Sequence, residues 1–291
     1  VTGFEPIPVR TLLGAGGFAT SLICLRSLVE YSVDPVRLII HEDGTLRDEQ
    51  RDQIRAFNPS VEFIDRTMAN EAVDALLVKH PRCRDFRRTE FMALKLFDIV
   101  LLGTGPVAYC DSDFLFLRPY TGLFNPHDQS RPIFMTDVGH AYAVRPWKLW
   151  PLGKIKLMGR LNAGFTFAPH GYLDLDFLEW LLGKMSSDPV FSRRRYWTEQ
   201  TCWAALAARS GADLLDPRQV VMATASMSGY SSDAVAIHFV ATHRGKLPQY
   251  VSMQSAVVEG AVKPIAHSAR RVSPFGMLWT DLGRRIATRS L

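Results

Sequence analysis

Three short apolar runs, residues 9–13, 36–40 and 61–64, alternate with two stretches of helical period, and no other feature constrains the fold of this chain as strongly. Leu22, Leu25, Leu28 and Val29 share one face of a helix expected over residues 18–31, and residues 45–57 read as a more polar helix. A β-α-β-α-β order implies a parallel sheet with right-handed crossovers, whose ligands gather at the carboxyl ends of the strands. The expected class is therefore α/β: a single domain with a mostly parallel central sheet flanked by helices.

Further along, residues 89–100 read as a helix carrying Lys95 among Phe91, Leu94, Leu96 and Phe97. Residues 133–137, 163–167 and 234–240 read as strands, and residues 173–185 and 198–209 as helices. Ser, Arg and Gly break any period over residues 251–273, the most disordered-looking region.

The chemistry concentrates at Tyr109-Cys110-Asp111-Ser112-Asp113-Phe114-Leu115-Phe116-Leu117, where an apolar strand ends at Asp111 in two carboxylates and the chain then continues apolar. Two such carboxylates repel each other unless a hard cation such as Mg²⁺ or Mn²⁺ sits between them and a phosphate-bearing ligand. Asp-x-Asp is also common in surface turns; here charge inside an otherwise buried-looking run favours the metal reading.

Gly14-x-Gly16-x-x-Ala19, after a strand and before a helix, matches the dinucleotide fingerprint, with Glu42 or Asp43 some 26 residues past Gly16 as a ribose ligand. An NAD(P)-dependent oxidoreductase is the competing function, although it leaves Asp111 and Asp113 unexplained. Asn162 and Gly164 stand at the mouth of a strand, where an amide can meet a sugar hydroxyl and a glycine admits the ligand, or simply make a turn. Thr198-Glu199-Gln200 opens a helix whose buried stripe includes Trp203, Leu206 and Ala207. Thr198 is expected as its N-cap, and Glu199 and Gln200 at the rim of the site. His238 ends the late strand and precedes a cationic loop with Arg244 and Lys246. A histidine among apolar neighbours is usually a core residue; beside two Asp residues it becomes a third metal ligand.

With 291 residues the chain has ample core to fold without staples. Cys24, Cys83, Cys110 and Cys202 are scattered, as reduced thiols of a cytoplasmic protein would be. No apolar run reaches the ~18 residues of a membrane span, and the start lacks a signal-peptide pattern. Of the net charge of +5, residues 251–291 contribute four, so the remainder offers no broad nucleic-acid surface.

The order of these motifs resembles glycosyltransferase family 8, the glycogenin-like retaining nucleotide-sugar transferases of GT-A fold. The likeness covers about residues 10–250. It rests on the first glycine loop, Lys95-Leu96 sixteen residues before Asp111, Asp111-Ser112-Asp113, Asn162-Ala163-Gly164, the acid-Gln pair Glu199-Gln200, and His238-Phe239. The resemblance implies that Asp111, Asp113 and His238 hold Mn²⁺ (or Mg²⁺) and that Leu13, Gly14, Ala15, Gly16, Lys95 and Ser112 contact the nucleotide-sugar donor. Asn162, Glu199 and Gln200 then line the sugar pocket, and Arg244 or Lys246 meets the phosphates. Two departures stand out. Glu199 replaces the family's usual Asp, and in its His-Phe-x-Gly-x-x-Lys-Pro-Trp pattern Ala241 and Arg244 take the Gly and Lys positions, with Lys246 and Pro248 shifted by two.

The expected function is transfer of a hexose from a nucleotide diphosphate, a UDP-sugar in the first instance, to a hydroxyl acceptor on a glycan, lipid, small molecule or protein, with retention. A non-catalytic nucleotide-binding protein of the same fold is a third reading. Residues 1–250 are expected to form the transferase domain and residues 251–291 a basic extension with a helical tail. Phe275, Leu278, Trp279, Leu282 and Ile286 fall on one face of that tail, which suits peripheral contact with an anionic membrane through residues 274–291 or packing on its own domain or a partner. A homodimer is a further expectation, and nucleic acid is not expected as a partner.

Overall fold

The computed structural model describes residues 5–144, 155–186, 191, 194–254 and 263–269. Strands β1 (Ile7–Leu13), β2 (Val36–Glu42), β3 (Glu62–Ile64) and β4 (Val107–Cys110) pair in parallel in the order β3-β2-β1-β4. Helices α1 (Phe18–Tyr31) and α2 (Asp48–Phe57) make the first two crossovers, as the hydrophobic periods predicted. The sheet continues through β8 (Leu161–Ala168), antiparallel to β4, then β7 (Ile133–Thr136), β9 (Asp213–Leu215) and β13 (His267–Ala269). Six of the eight strands thus run one way, which confirms the mostly parallel α/β sheet.

One face of the sheet packs Val9, Leu13, Ala108 and Cys110 against Leu25 and Leu28 of α1 and Ile54 of α2. On the other face, Leu12, Val107 and Tyr109 meet Leu94 and Ile99. The neighbouring cluster there is built around Phe97, Phe134 and the fully buried Trp203 of α7 (Thr198–Ser210). Trp203 lies 5.6 Å from Phe134 and 6.3 Å from Tyr172, ring centre to ring centre, which packs α7 against β7.

The structure departs from the sequence expectations in four places. The helix expected over residues 89–100 is broken into α5 (Ala93–Leu96) and α6 (Asp98–Leu101), and an unexpected helix, α4 (Pro81–Thr89), precedes them. Buried Arg87 holds Asp98 with two 2.7 Å hydrogen bonds, which fixes α6 against α4. Between β3 and α4 the chain forms α3 (Arg66–Leu76), whose first amides are capped by Asp65. The strand expected over residues 234–240 is shortened to β11 (Ala236–His238), which joins β10 (Val220–Met222) and β5 (Phe114–Phe116) in a second, three-stranded sheet. Residues 263–269, inside the stretch expected to be irregular, supply β12 (Lys263–Pro264), which pairs with β6 (Tyr120–Thr121), and β13.

The four cysteines are free and buried, and no described helix is long and apolar enough to cross a membrane. The amphipathic tail at residues 274–291 lies outside the described residues.

Below the carboxyl edge, Arg10 contacts His41 at 2.7 Å and donates to the Leu102 carbonyl. Burial first, and the Arg10 charge second, depress the His41 imidazole to about 3. The folded protein therefore keeps His41 neutral while the unfolded chain binds a proton below about 6.5. Its stabilising contribution is complete above that pH and is lost as the pH falls toward 3. His41→Gln keeps an acceptor for Arg10 and removes the basic nitrogen, so the loss of Tm between pH 7 and pH 4.5 is expected to be smaller than in the wild type. Identical Tm profiles would show that His41 does not set the acid sensitivity.

Candidate metal centre and adjoining pocket

Asp111 and Asp113 sit in the turn where the chain leaves the large sheet at Cys110 and enters the small one at Phe114. Antiparallel pairing of β5 with β11 sets His238 opposite Phe114, and the imidazole stacks on that ring at 4.2 Å between centres. His238 Nε2 thereby lies 3.1 Å from Asp113 Oδ1 and 3.5 Å from Asp111 Oδ2. One ligand atom from each of the three residues falls within 4.8 Å of the others, the only such metal-ligating group among the described residues.

This approach requires a glycine on the neighbouring strand. A Cβ at Gly164 would stand 2.3 Å from His238 Cε1 and 2.9 Å from Asn162 Oδ1. The Gly164 carbonyl also accepts from the Asp111 amide at 2.7 Å, which ties β8 to the turn.

The two carboxylates are held differently. Lys95 of α5, 5 % exposed, contacts Asp111 Oδ1 at 3.0 Å and Oδ2 at 3.1 Å, and the Tyr109 hydroxyl donates to Oδ1. Burial pushes the Asp111 carboxyl up, but Lys95, His238 and Tyr109 together outweigh it and hold it well below the usual carboxylate range. Asp113 Oδ2 accepts from Arg244 Nε at 2.9 Å, with Nη2 at 2.8 Å. Burial lowers the His238 imidazole, yet Asp113 and Asp111 raise it to about 9. Asp113 Oδ1 and both ring nitrogens of His238 are buried without completing a hydrogen bond. Two carboxylates and an imidazole with open coordinating atoms fit a divalent cation that prefers oxygen and nitrogen donors.

A pocket of about 370 Å³ opens beside Asp111 and Asp113, lined among others by Gly14, Gly16, Ser21, Phe91, Ser112 and Arg244. Leu13, Asp43, Tyr109 and Lys95 also face it. Gly14 packs against Asp43, whose Oδ2 would stand 1.8 Å from an added Cβ, whereas Gly16 has open space before it. The first turn of α1 carries no acidic residue and no side-chain cap, so its positive end is free to face an anion. Ser21 of α1 and Ser112 approach to 3.1 Å between hydroxyls. The Ala15 amide is committed to Thr45 Oγ1 at 2.8 Å, and Ala15 does not line the pocket. A larger groove of about 890 Å³ beside Phe177, Trp180 and Arg209 shares no residue with this one and lacks the carboxylate–imidazole cluster.

The other expected site residues form a polar cluster joined to the metal centre through Gly164. Asn162 Nδ2 donates to Asp137 Oδ2 at 3.0 Å, and Gln200 Nε2 donates to the same oxygen at 3.4 Å and to the Ala141 carbonyl at 3.1 Å. Glu199 is not at the rim; it is 2 % exposed, and burial raises its carboxyl to about 7 despite the field of Lys95. Thr198 is not the N-cap, since the helix starts there after Trp197 and the Thr198 hydroxyl is buried without a partner. Lys246 does not reach the pocket: its ammonium is taken by the carbonyls of Thr224, Ala225 and Met227 at 2.6–3.0 Å. Of the two loop cations, Arg244 is therefore the one placed at the cluster, on Asp113.

Of the ribose ligands of the dinucleotide reading, Glu42 is engaged elsewhere, whereas Asp43 lines the pocket with one oxygen committed. Glu42 is buried and accepts two hydrogen bonds from Arg51, at 2.6 and 2.8 Å, and Asp43 Oδ1 accepts from the Thr45 amide and hydroxyl. Sequence reasoning missed Asp137, Tyr109, Ser21 and Phe114 as members of the site. For Asp137 a signal existed, an acid at the carboxyl end of an apolar strand; for the others nothing in the local sequence distinguishes them from core.

No family model matches the chain, and no curated protein matches it. Among solved structures, the fold is similar to the galactosyltransferase LgtC in complex with donor and acceptor sugar analogs, at 13% identity over 87% of this chain and 97% of that one, with a TM-score of 0.52. It is also similar to the apo-form glycosyltransferase GlyE of Streptococcus pneumoniae, at 12% identity over 87% of this chain and 62% of that one, with a TM-score of 0.51. These likenesses establish the fold, an α/β architecture of the GT-A type.

Gly164→Ala is expected to force apart His238 and β8 at a cost of about 1–3 kcal/mol. A lower Tm, together with loss of any Mn²⁺-induced rise in Tm, is the expected readout; a variant that keeps both would show that the close contact is dispensable.

Proposed function

We propose that the chain is a metal-dependent glycosyltransferase that moves a hexose from a nucleoside diphosphate sugar, with UDP as the expected nucleotide, to a hydroxyl acceptor with retention at the anomeric carbon. The observation that carries this reading is the Asp111–Asp113–His238 cluster, with its unsatisfied ligand atoms, at the carboxyl edge of a GT-A-type sheet and beside a pocket bordered by a helix N-terminus. Engagement of Glu42 by Arg51 removes one ribose ligand from the NAD(P) oxidoreductase alternative, which also leaves the carboxylate–imidazole cluster unexplained.

In this reading the nucleotide enters between the glycine loop and Ser112, with its diphosphate toward the N-terminus of α1 and Arg244. Bound by Asp111, Asp113 and His238, Mn²⁺ or Mg²⁺ supplies Lewis-acid stabilisation of the leaving diphosphate. The bond between the anomeric carbon and the phosphate oxygen breaks, its electron pair leaves with the diphosphate, and a bond forms to the acceptor oxygen, which loses its proton. Arg244 offers a planar fork of donors matched to phosphate oxygens. Lys95, clamped on Asp111, keeps that carboxylate ionised and in place. Asn162 and Gln200, both tethered by Asp137, present amides to the donor sugar, and Glu199 is the carboxylate on the sugar side.

Asp113→Ala is expected to lower turnover by at least about 100-fold, close to 3 kcal/mol, on the scale of other electrostatic groups that meet developing charge. The primary test is thermal stabilisation by UDP-, GDP- and TDP-sugars and by NAD(H), each with and without Mn²⁺, in the wild type and in Asp111→Ala/Asp113→Ala. A Mn²⁺-dependent shift with one nucleotide sugar, absent from the double variant, is the expected result. A metal-independent shift with NAD(H) alone would overturn the reading.

A further inference from the structure

The carboxylates of the metal centre differ in how easily they can be released. Asp111 is clamped through both oxygens by Lys95, on a buried short helix, and by the Tyr109 hydroxyl. Neither partner can leave without exposing a buried polar group. Asp113 has one oxygen facing His238 and the other covered by the Arg244 guanidinium. The Arg244 side chain is 53% exposed and projects from the turn Ala241–Lys246 that follows β11. Rotating it into solvent breaks one ion pair and uncovers little apolar surface.

We propose that Arg244 is an internal cation that occupies Asp113 until a diphosphate draws it away, so that divalent metal and diphosphate bind cooperatively at this centre. The inference rests on the donor-site reading above and extends it to the order in which the site fills. A dication on the open Asp113 Oδ1 while the guanidinium holds Oδ2 of the same carboxylate brings like charges within a few ångströms, so the metal alone binds against that repulsion or displaces Arg244 and leaves it without an anion. A diphosphate supplies that anion, because a guanidinium pairs with phosphate oxygens in the same forked geometry that it uses on a carboxylate. Moving Arg244 from Asp113 to the diphosphate removes that repulsion and leaves both carboxylate oxygens to the metal, and the linkage must hold in both directions. The exposure of Arg244, in contrast with the burial of Lys95, is what makes it the mobile member of the pair.

The test is Mn²⁺ binding by the full chain, followed through the EPR signal of free Mn²⁺, with and without UDP, in the wild type, Arg244→Gln and Arg244→Lys. This readout does not depend on turnover, and residue 244 is exposed enough for both variants to fold. Without UDP, Arg244→Gln is expected to bind Mn²⁺ roughly three- to ten-fold more tightly than the wild type, the range expected for loss of a half-exposed charged hydrogen bond. UDP is expected to tighten Mn²⁺ binding in the wild type and to do so by a smaller factor in Arg244→Gln. Arg244→Lys, which still places a cation on Asp113, is expected to stay within about two-fold of the wild type for Mn²⁺ alone.

If Arg244→Gln binds Mn²⁺ alone no more tightly than the wild type while UDP still binds both proteins, the inference is overturned and the donor reading stands. The same holds if the UDP effect on Mn²⁺ is as large in Arg244→Gln as in the wild type. If UDP binds neither protein at any Mn²⁺ concentration, the donor reading fails and the cooperative scheme fails with it. Absence of Mn²⁺ binding in all three proteins would also overturn the inference.

Discussion

The buried pair of Lys95 and Asp111 is the interaction on which the rest of the site depends. Asp111, Asp113 and Glu199 bring three carboxyl groups into one poorly solvated region, and such a cluster is unstable without compensating positive charge. Lys95 is placed there by α5, a single turn of helix that exists because Asp98 is anchored by Arg87 and starts a new helix, α6, immediately after it. The break in what reads as one continuous helix is therefore what delivers the lysine to the sheet edge. Removing either partner would leave a buried charge unpaired, a larger penalty than the pair itself is worth.

A second constraint is the change of sheet at residues 111–113. Because β4 ends in the large sheet and β5 begins the small one, the turn between them is pinned to each, by the Asp111 amide on the Gly164 carbonyl and by the Phe239 amide on the Asp113 carbonyl, and its carboxylates face the pocket. The small sheet then supplies His238 from a strand more than a hundred residues further along the chain. The contact closes only because Gly164, on the other side of the turn, leaves room for the imidazole. Ligand geometry here is a product of two sheets and one missing side chain, which is why it is rigid around Asp111 and His238 and looser at the exposed Arg244.

Much of the architecture was legible because it depends on local period. Helix α1 begins at Phe18 and ends at Tyr31 as its apolar face predicted, and β1, β2, β4 and β7 fall where alternating or continuous apolar runs placed them. The helix break at Phe97 was not legible, because the apolar period runs on through it and the Arg87 and Arg66 side chains that hold Asp98 come from other helices. The strand at residues 267–269 was likewise hidden: its pairing with β9 satisfies backbone groups that carry no mark in its own side chains.

For the candidate site, the sequence by itself supplied the candidates: Asp111, Asp113, His238, Asn162, Glu199, Gln200 and Lys95 follow from residue type, spacing and the motif order that carries the resemblance. Tertiary structure alone decided their relations. It buried Glu199, turned Lys246 toward three carbonyls, set Arg244 on Asp113, and brought in Asp137 to hold two amides at once. The physical reason is that side-chain identity fixes which interactions are available, whereas competition among partners in a region of low dielectric selects those that form. That competition depends on distances between segments far apart in the chain, which no local pattern encodes.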